Sequence, residues 1–169
     1  MKPLPLLLAG LLLAALSGCG FHLRDALVLP EGMDQVRVES RDPYSALASS
    51  LERSLGHAGA VIAGDDDSPA AALEIRSERW ASTPLSVDQF GRAQEYTLRY
   101  AVVFALRSAD GEVVVPQQAV EMSRDFISPP TDSTGTETER ELLVREMRRE
   151  MTASILRRID AAVRGRPPQ

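Results

Sequence analysis

The clearest pattern of hydrophobic and polar positions is a strict alternation along residues 95–107. This period-two pattern predicts a β-strand with one buried face and one milder face. The sequence Ala109-Asp110-Gly111 then predicts a hairpin turn, so residues 112–126 are expected to return as the antiparallel partner. Pro116 in that partner predicts a bulge or an edge position. The side chains expected on the buried face of the first strand are Tyr96, Leu98, Tyr100, Val102, Phe104 and Leu106.

Weaker alternation predicts further strands in the first half of the chain. Gln35–Glu39 alternates apolar and polar side chains and is expected to form a short strand. Leu73 and Ile75 open another strand, which Ser82-Thr83-Pro84 is expected to interrupt because proline cannot donate a ladder hydrogen bond. Val61-Ile62 begins one more short extended segment.

Two stretches carry apolar side chains at steps of four, which is typical of amphipathic helices. The first helix is expected to begin with Asp42 as its N-cap and Pro43 at its first position, and to end near Gly56 or Gly59. The second is expected to be capped by a threonine within Thr136–Thr138. The apolar positions are Leu47, Leu51 and Leu55 in the first helix and Leu143, Met147, Met151, Ile155, Ile159 and Val163 in the second.

The order of these elements predicts an α+β fold. Two amphipathic helices and roughly four strands, mostly antiparallel and joined by hairpins, fit a two-layer sandwich. The helices would cover the apolar face of the sheet and leave its other face exposed. Residues 32–164 are the right length for a single domain with one core, and residues 165–169 are expected to form a disordered tail.

The N-terminal region has the pattern of a secretory leader. Residues 1–18 contain a positive start and a leucine-rich run too short to span a membrane, and they end in small residues before Cys19, the lone cysteine. Cys19 is therefore interpreted as a lipid attachment point that opens a lipidated tether, residues 19–31. The alternative is an ordinary leader with an unpaired thiol left over. Gly20, rather than aspartate, follows the cysteine and favours the outer membrane by analogy.

Charge and motifs argue against nucleic-acid binding and against catalysis. The chain has 19 basic and 24 acidic residues, a net charge of −5, and such an acidic chain is a poor nucleic-acid binder. Neither His22 nor His57 has an evident catalytic partner, and no nucleophile, zinc or dinucleotide motif is present, so we expect no enzyme and no cofactor. The acidic loop Asp65–Asp67 lacks metal-ligand spacing and is expected to be solvated, with no metal site.

The arginines are the candidate binding residues. Arginine forks bind phosphate bidentately, so a group of arginines on an uncovered sheet face could hold a phosphorylated headgroup. The alternative for each arginine is charge pairing across strands with glutamates such as Glu74, Glu78 and Glu95. Trp80, the only tryptophan, is either core filler or an interface anchor. The candidates are Arg76, which is expected to share a strand face with Glu74, Glu78 and Trp80, together with Arg92, Arg99 and Arg124.

Three motifs resemble those of a known family. Residues 19–24, Cys-Gly-Phe-His-Leu-Arg with Pro30 soon after, resemble the tether of the lipopolysaccharide-assembly lipoprotein LptE (RlpB) family. The motif Gly91-x-x-x-Glu95-Tyr96 and the stretch Leu143–Met147 resemble the same family. The resemblance spans nearly the whole mature chain in consistent order.

The resemblance implies a non-enzymatic outer-membrane lipoprotein on the periplasmic side, anchored by acyl chains such as palmitate on Cys19. It implies a 1:1 partnership with the LptD β-barrel, whose lumen the domain would plug, and direct lipopolysaccharide binding. Family members can carry a basic residue before the last helix, whereas residues 133–138 have none, so Arg92, Arg99 or Arg124 would have to substitute. The alternatives are a periplasmic lipid-anchored carrier of a small amphiphile, which requires a sizeable apolar cavity, and a lipid-anchored hydrolase.

Overall fold

A computed structural model describes residues 34–64, 69–128 and 133–165, without the side chains of residues 133 and 134. These residues form five strands and two helices. In chain order they are β1 (Gln35–Ser40), α1 (Ala46–His57), β2 (Val61–Ile62), β3 (Ala71–Val87), β4 (Ala93–Arg107), β5 (Val113–Ile127) and α2 (Ser133–Arg164).

The five strands form one mixed sheet in the order β2-β1-β3-β4-β5. β1 runs parallel to both β2 and β3, and the long strands β3, β4 and β5 are antiparallel neighbours. The predicted α+β sandwich is therefore confirmed, but the sheet has five strands rather than four and is mixed. The crossover through α1 makes the pairing of β1 with β2 parallel, because a helix between two strands lets the chain return in the same direction.

Both helices cover one face of the sheet and share one core with it. The predicted inward row of β4 is confirmed, since Leu98, Tyr100, Val102, Phe104 and Leu106 are all fully buried. α1 packs on β1 and β2, whereas α2 packs on β5 and on α1. The helices fill this layer with Leu47, Leu51, Leu55, Met147, Met151, Ile155 and Ile159.

A bulge at Arg76 shifts the alternation of β3 by one residue. Ile75 lies opposite Phe104, but Ser77 lies opposite Val103, so Arg76 is the extra residue on its strand. Before the bulge the odd positions of β3 face the helices, and after it the even positions do. Arg76 therefore does not share a face with Glu78 and Trp80, contrary to the expectation from strict alternation.

Pro84 does not interrupt β3. The strand continues to Val87, and Pro84 lies opposite Tyr96 with a second irregularity just beyond it. β1 pairs with β3 only as far as Ile75, so the later part of β3 is an edge in the described part of the chain. At an edge the missing N–H of proline costs no ladder hydrogen bond. Similarly, the register shift of β5 around Pro116 confirms the predicted bulge.

The helix starts differ from the predictions. The N-cap of α1 is Ser45, whose Oγ accepts a hydrogen bond from the Ala48 N–H. Asp42 instead closes the preceding turn by accepting from the Tyr44 N–H at 2.9 Å. α1 ends at His57, and Gly59 has a φ of 99°, as the glycine prediction required. α2 begins at Ser133, before the predicted threonine caps.

Candidate functional site

The sheet face turned away from the helices, here called the open face, carries most of the charged side chains of β3, β4 and β5. The side chains of Arg99 and Arg107 lie on it because they alternate with the buried row of β4. Because of the bulge, Glu74 and Arg79 lie on the same face, opposite Ala105 and Ala101.

Arg76 and Arg107 both bind Glu74. The Arg76 guanidinium approaches Glu74 Oε2 to 2.7 Å, and Arg107 Nε donates to Glu74 Oε1 at 3.0 Å. Arg76 Nη1 also donates to Gln117 Oε1 of β5 at 2.7 Å. The hydrogen bond from Arg76, followed by the contribution of Arg107, lowers the pKa of Glu74 in spite of its partial desolvation. This cluster ties β3, β4 and β5 together, so Arg76 is already occupied.

Arg99 and Arg79 are the more available pair on the open face. Arg99 binds Glu121 at 3.1 Å, and both side chains are more than half exposed, so water screens that pair and it stabilises the fold little. Arg79 is exposed and lies opposite Ala101, and within the described residues no carboxylate lies within ion-pairing distance of it. Ala81 pairs with Arg99, so the two arginines are diagonal neighbours, whose Cα atoms lie about 7–8 Å apart by strand geometry.

Arg79 is a residue that sequence reasoning missed. Strict alternation from Leu73 and Ile75 would turn position 79 toward the helices. The bulge turns it outward instead, and no local signature marks that one-residue shift. A β-bulge can re-aim a side chain beside a functional site.

Arg92 lies at the end of the β3–β4 hairpin and not in the middle of the open face. Its guanidinium binds Asp88 Oδ2 at 2.7 Å and lies 5.2 Å from the centre of the Phe90 ring. The Arg92 backbone N–H and then its side chain hold the pKa of Asp88 below its ordinary value. Phe90 and the neighbouring Val87 are largely exposed, so this end combines apolar surface with a cation.

Arg124 lies on the opposite side of the sheet from Arg99. It pairs with Leu98 of the buried row, and its guanidinium binds Glu150 of α2 at 2.6 Å. The four sequence candidates are therefore not one cluster, and each has a carboxylate partner. Arg76 and Arg99 share the open face, Arg92 lies at the hairpin end, and Arg124 fastens α2 to the edge strand.

A polar network under Trp80 fixes the first helix to the sheet. Glu78 accepts from Ser45 Oγ at 2.8 Å and from the Tyr100 hydroxyl at 2.7 Å. The Trp80 ring stacks on Tyr100 with 3.7 Å between ring centres. Burial, and then the Glu78 carboxylate, raises the pKa of Tyr100 well above its ordinary value. Trp80 is therefore packed against the core, as the core-filler interpretation predicts.

Several predictions concern residues outside the described ranges. They include the leader 1–18, Cys19 and the tether 19–31, His22, the acidic loop Asp65–Asp67 and most of the tail. Of the two helices that are described, neither combines the length and the apolar character needed to cross a membrane.

The fold and the open face together define a small α+β sandwich. The helices cover one face of its sheet, and the other face carries arginines. The family model LptE, described as lipopolysaccharide-assembly, matches residues 33–159. The chain therefore belongs to the LptE family, which is non-enzymatic. The prediction that it is not an enzyme is confirmed, and the hydrolase alternative is excluded.

Individual relatives agree with this assignment. The LPS-assembly lipoprotein LptE of Photorhabdus laumondii is 29% identical over 153 residues, which cover 90% of this chain and 83% of the relative. The rare lipoprotein B of Shewanella oneidensis has a similar crystal structure, with a TM-score of 0.64, 26% identity and coverage of 75% of this chain and 94% of the other. A lipoprotein B from Nitrosomonas europaea shares the fold, with a TM-score of 0.72 at 23% identity, over 86% of this chain and 94% of the other.

Proposed function

We propose that this chain is an outer-membrane lipoprotein that acts in lipopolysaccharide assembly by plugging the LptD β-barrel and helping it to assemble. In this proposal it also binds lipopolysaccharide directly and assists its delivery to the outer leaflet. Family membership supports the assembly role. The observation that carries the ligand-binding step is the open face, where Arg79 and Arg99 are exposed on adjacent strands.

The layer structure suits a plug. The space between helices and sheet is filled by fully buried side chains such as Phe104 and Met151, so the domain is a packed body. The carrier alternative requires a sizeable apolar cavity in this same layer, and these side chains leave little room for one. Acyl chains on Cys19 would hold the plug at the periplasmic side of the outer membrane.

The open face suits a phosphorylated ligand. Two guanidinium forks carried at diagonal positions of adjacent strands can each bind a phosphate bidentately. Arg99 gives up only a screened pair with Glu121 when it binds. Arg76 would have to release the shared Glu74, so it is the weaker candidate on this face.

The ligand step is tested by a double charge reversal, Arg79→Glu with Arg99→Glu, in the purified lipidated protein. Lipopolysaccharide binding should weaken at least about tenfold, since two charge-assisted contacts are replaced by repulsion. The matched control is Arg140→Glu with Arg157→Glu, which makes the same charge change on the surface of α2. Equal binding by both double variants would remove the open face from the proposal.

The anchor is tested by mass spectrometry of the processed N-terminus. Cys19 should carry a diacylglycerol and an additional acyl chain. An unmodified thiol at Cys19 would show that the leader is an ordinary secretory one and would remove the membrane anchor.

A further inference from the structure

A basic groove lies between α1 and α2, in the helix layer and away from the open face. Its volume is about 740 Å³, and it is lined by Arg53 and His57 of α1 and by Arg145, Arg148 and Arg149 of α2. None of the described residues that line it is acidic. The chain as a whole carries a net charge of −5, so this concentration of positive charge is local and does not reflect the composition.

Helix periodicity gathers these side chains on two facing surfaces. Arg53 and His57 are four residues apart, and so are Arg145 and Arg149, so each pair lies on one side of its helix. The like charges of Arg145 and Arg149 repel at this spacing and destabilise the helix. With Arg53 and Arg148 the groove gathers four guanidinium groups, and an anion between them would reduce their mutual repulsion.

Arg148 is the most enclosed of the four. Its Nε is shielded from solvent and has no hydrogen-bond partner among the described residues. Elsewhere its guanidinium contacts the neutral Tyr100 hydroxyl, while the Glu78 carboxylate, which lines a neighbouring pocket with Arg148, accepts from Ser45 and Tyr100. A guanidinium that is partly desolvated and has no ion-pair partner is costly. An anion in the groove would reduce that cost.

The other groove arginines keep donors available. Arg53 donates to Ser50 Oγ at 3.0 Å, a neutral partner. Arg145 approaches Glu141 only to 3.6 Å, with both side chains exposed. The Ser50 and Ser54 hydroxyls donate to backbone carbonyls at 2.8 Å. The donors that the groove offers to an anion are therefore guanidinium groups rather than hydroxyls.

We propose that this groove is an anion-binding site for a phosphate monoester or diphosphate group. Planar guanidinium forks match phosphate oxygens bidentately, and several forks around one groove favour a multiply charged phosphate. The group can come from a lipid headgroup or from a free phosphorylated solute. The site lies on the helix layer and shares no residue with the open face, so it does not depend on the proposed lipopolysaccharide contact there.

The probe is inorganic pyrophosphate, titrated by calorimetry into the full lipidated protein in a nonionic detergent. The test variant is Arg145→Gln with Arg149→Gln, both exposed side chains. The control is Arg140→Gln with Arg157→Gln, which removes the same charge from α2 outside the groove. Pyrophosphate should bind the native protein, bind the groove variant at least about tenfold more weakly, and bind the control within about twofold of native.

A second titration distinguishes the two sources of phosphate. The detergent is doped with phosphatidic acid: displacement of pyrophosphate assigns the groove to a lipid headgroup, and undisturbed binding assigns it to a soluble phosphate. The proposal is overturned when the native protein does not bind pyrophosphate, or when groove and control variants lose binding equally, which would indicate diffuse charge. Capture of an acidic protein segment without any phosphate binding would also overturn it. Lipopolysaccharide binding through Arg79 and Arg99 is unaffected by any of these results.

Discussion

The Tyr100 hydroxyl donates to Glu78 Oε1 at 2.7 Å across two antiparallel strands. The contact exists because the bulge at Arg76 turns Glu78 toward the helices, onto the face that carries Tyr100. The other oxygen of Glu78 accepts from Ser45, the N-cap of α1. One extra residue in β3 therefore connects the sheet to the start of the first helix.

Removing the Tyr100 hydroxyl should destabilise the fold without removing its ring stacking. Tyr100→Phe leaves the partly buried Glu78 carboxylate one donor short, and an unsatisfied group of this kind costs about 1–3 kcal/mol. The free energy of unfolding in urea measures it. Tyr44→Phe is the control, since Tyr44 is 91% exposed. An equal effect of both substitutions would mean that the Glu78 contact contributes nothing.

Tyr100 also predicts the alkaline limit of stability. Its folded pKa is raised by burial and by Glu78, whereas an unfolded tyrosine ionises near pH 10. The unfolded state therefore releases this proton first, and stability is full below about pH 10 and falls above it. Unfolding free energies between about pH 9 and 11.5 should show a steeper decline for the native protein than for Tyr100→Phe. Parallel declines would contradict the assignment.

Glu74 predicts an acid-sensitive contribution. Its folded pKa is lowered by Arg76 and then by Arg107, so its stabilisation is present above the unfolded pKa of about 4.3 and is lost as pH falls through the folded value. Glu74→Gln should make the free energy of unfolding fall less steeply below about pH 5. Chemical unfolding at a series of pH values measures this. Glu121→Gln, at the exposed pair with Arg99, serves as the control and should change the profile little.

The core between α2 and the sheet should be sensitive to side-chain truncation. Met151 is fully buried, and Met151→Ala should cost about 2–5 kcal/mol because it removes packed atoms and leaves a cavity. Leu142→Ala on the same helix should cost far less, since Leu142 is 55% exposed. Thermal unfolding of the two variants compares them, and similar midpoints would argue against the described packing of α2.

Local patterns predicted the parts of the fold that local rules determine. The inward row of β4 follows from period two, and the apolar stripe of α2 from steps of four; both depend only on nearby residues. The parallel pairing of β1 with β3 was missed because it brings together segments distant along the chain. The bulge at Arg76 was missed because a bulge is defined by the register with the neighbouring strand. The sequence of β3 alone does not show which of its residues is the extra one.

The candidate site was predicted only in part for the same reason. Arg99 follows the alternation of its own strand and lies on the open face as expected. Arg79 depends on the bulge and could not be placed by alternation. Arg124 was grouped with the other candidates by residue type, but its position on the helix side allows it to bind Glu150.

Co-purification from the native membrane tests the proposed LptD partnership most directly. The chain, tagged at its C-terminus and expressed at its natural level, is purified in detergent from the membranes of its own source, and the masses of all recovered proteins are determined. The account predicts an LptD β-barrel at a 1:1 ratio with the lipidated chain, together with bound lipopolysaccharide. Recovery of the lipidated chain alone, without a barrel, would contradict it.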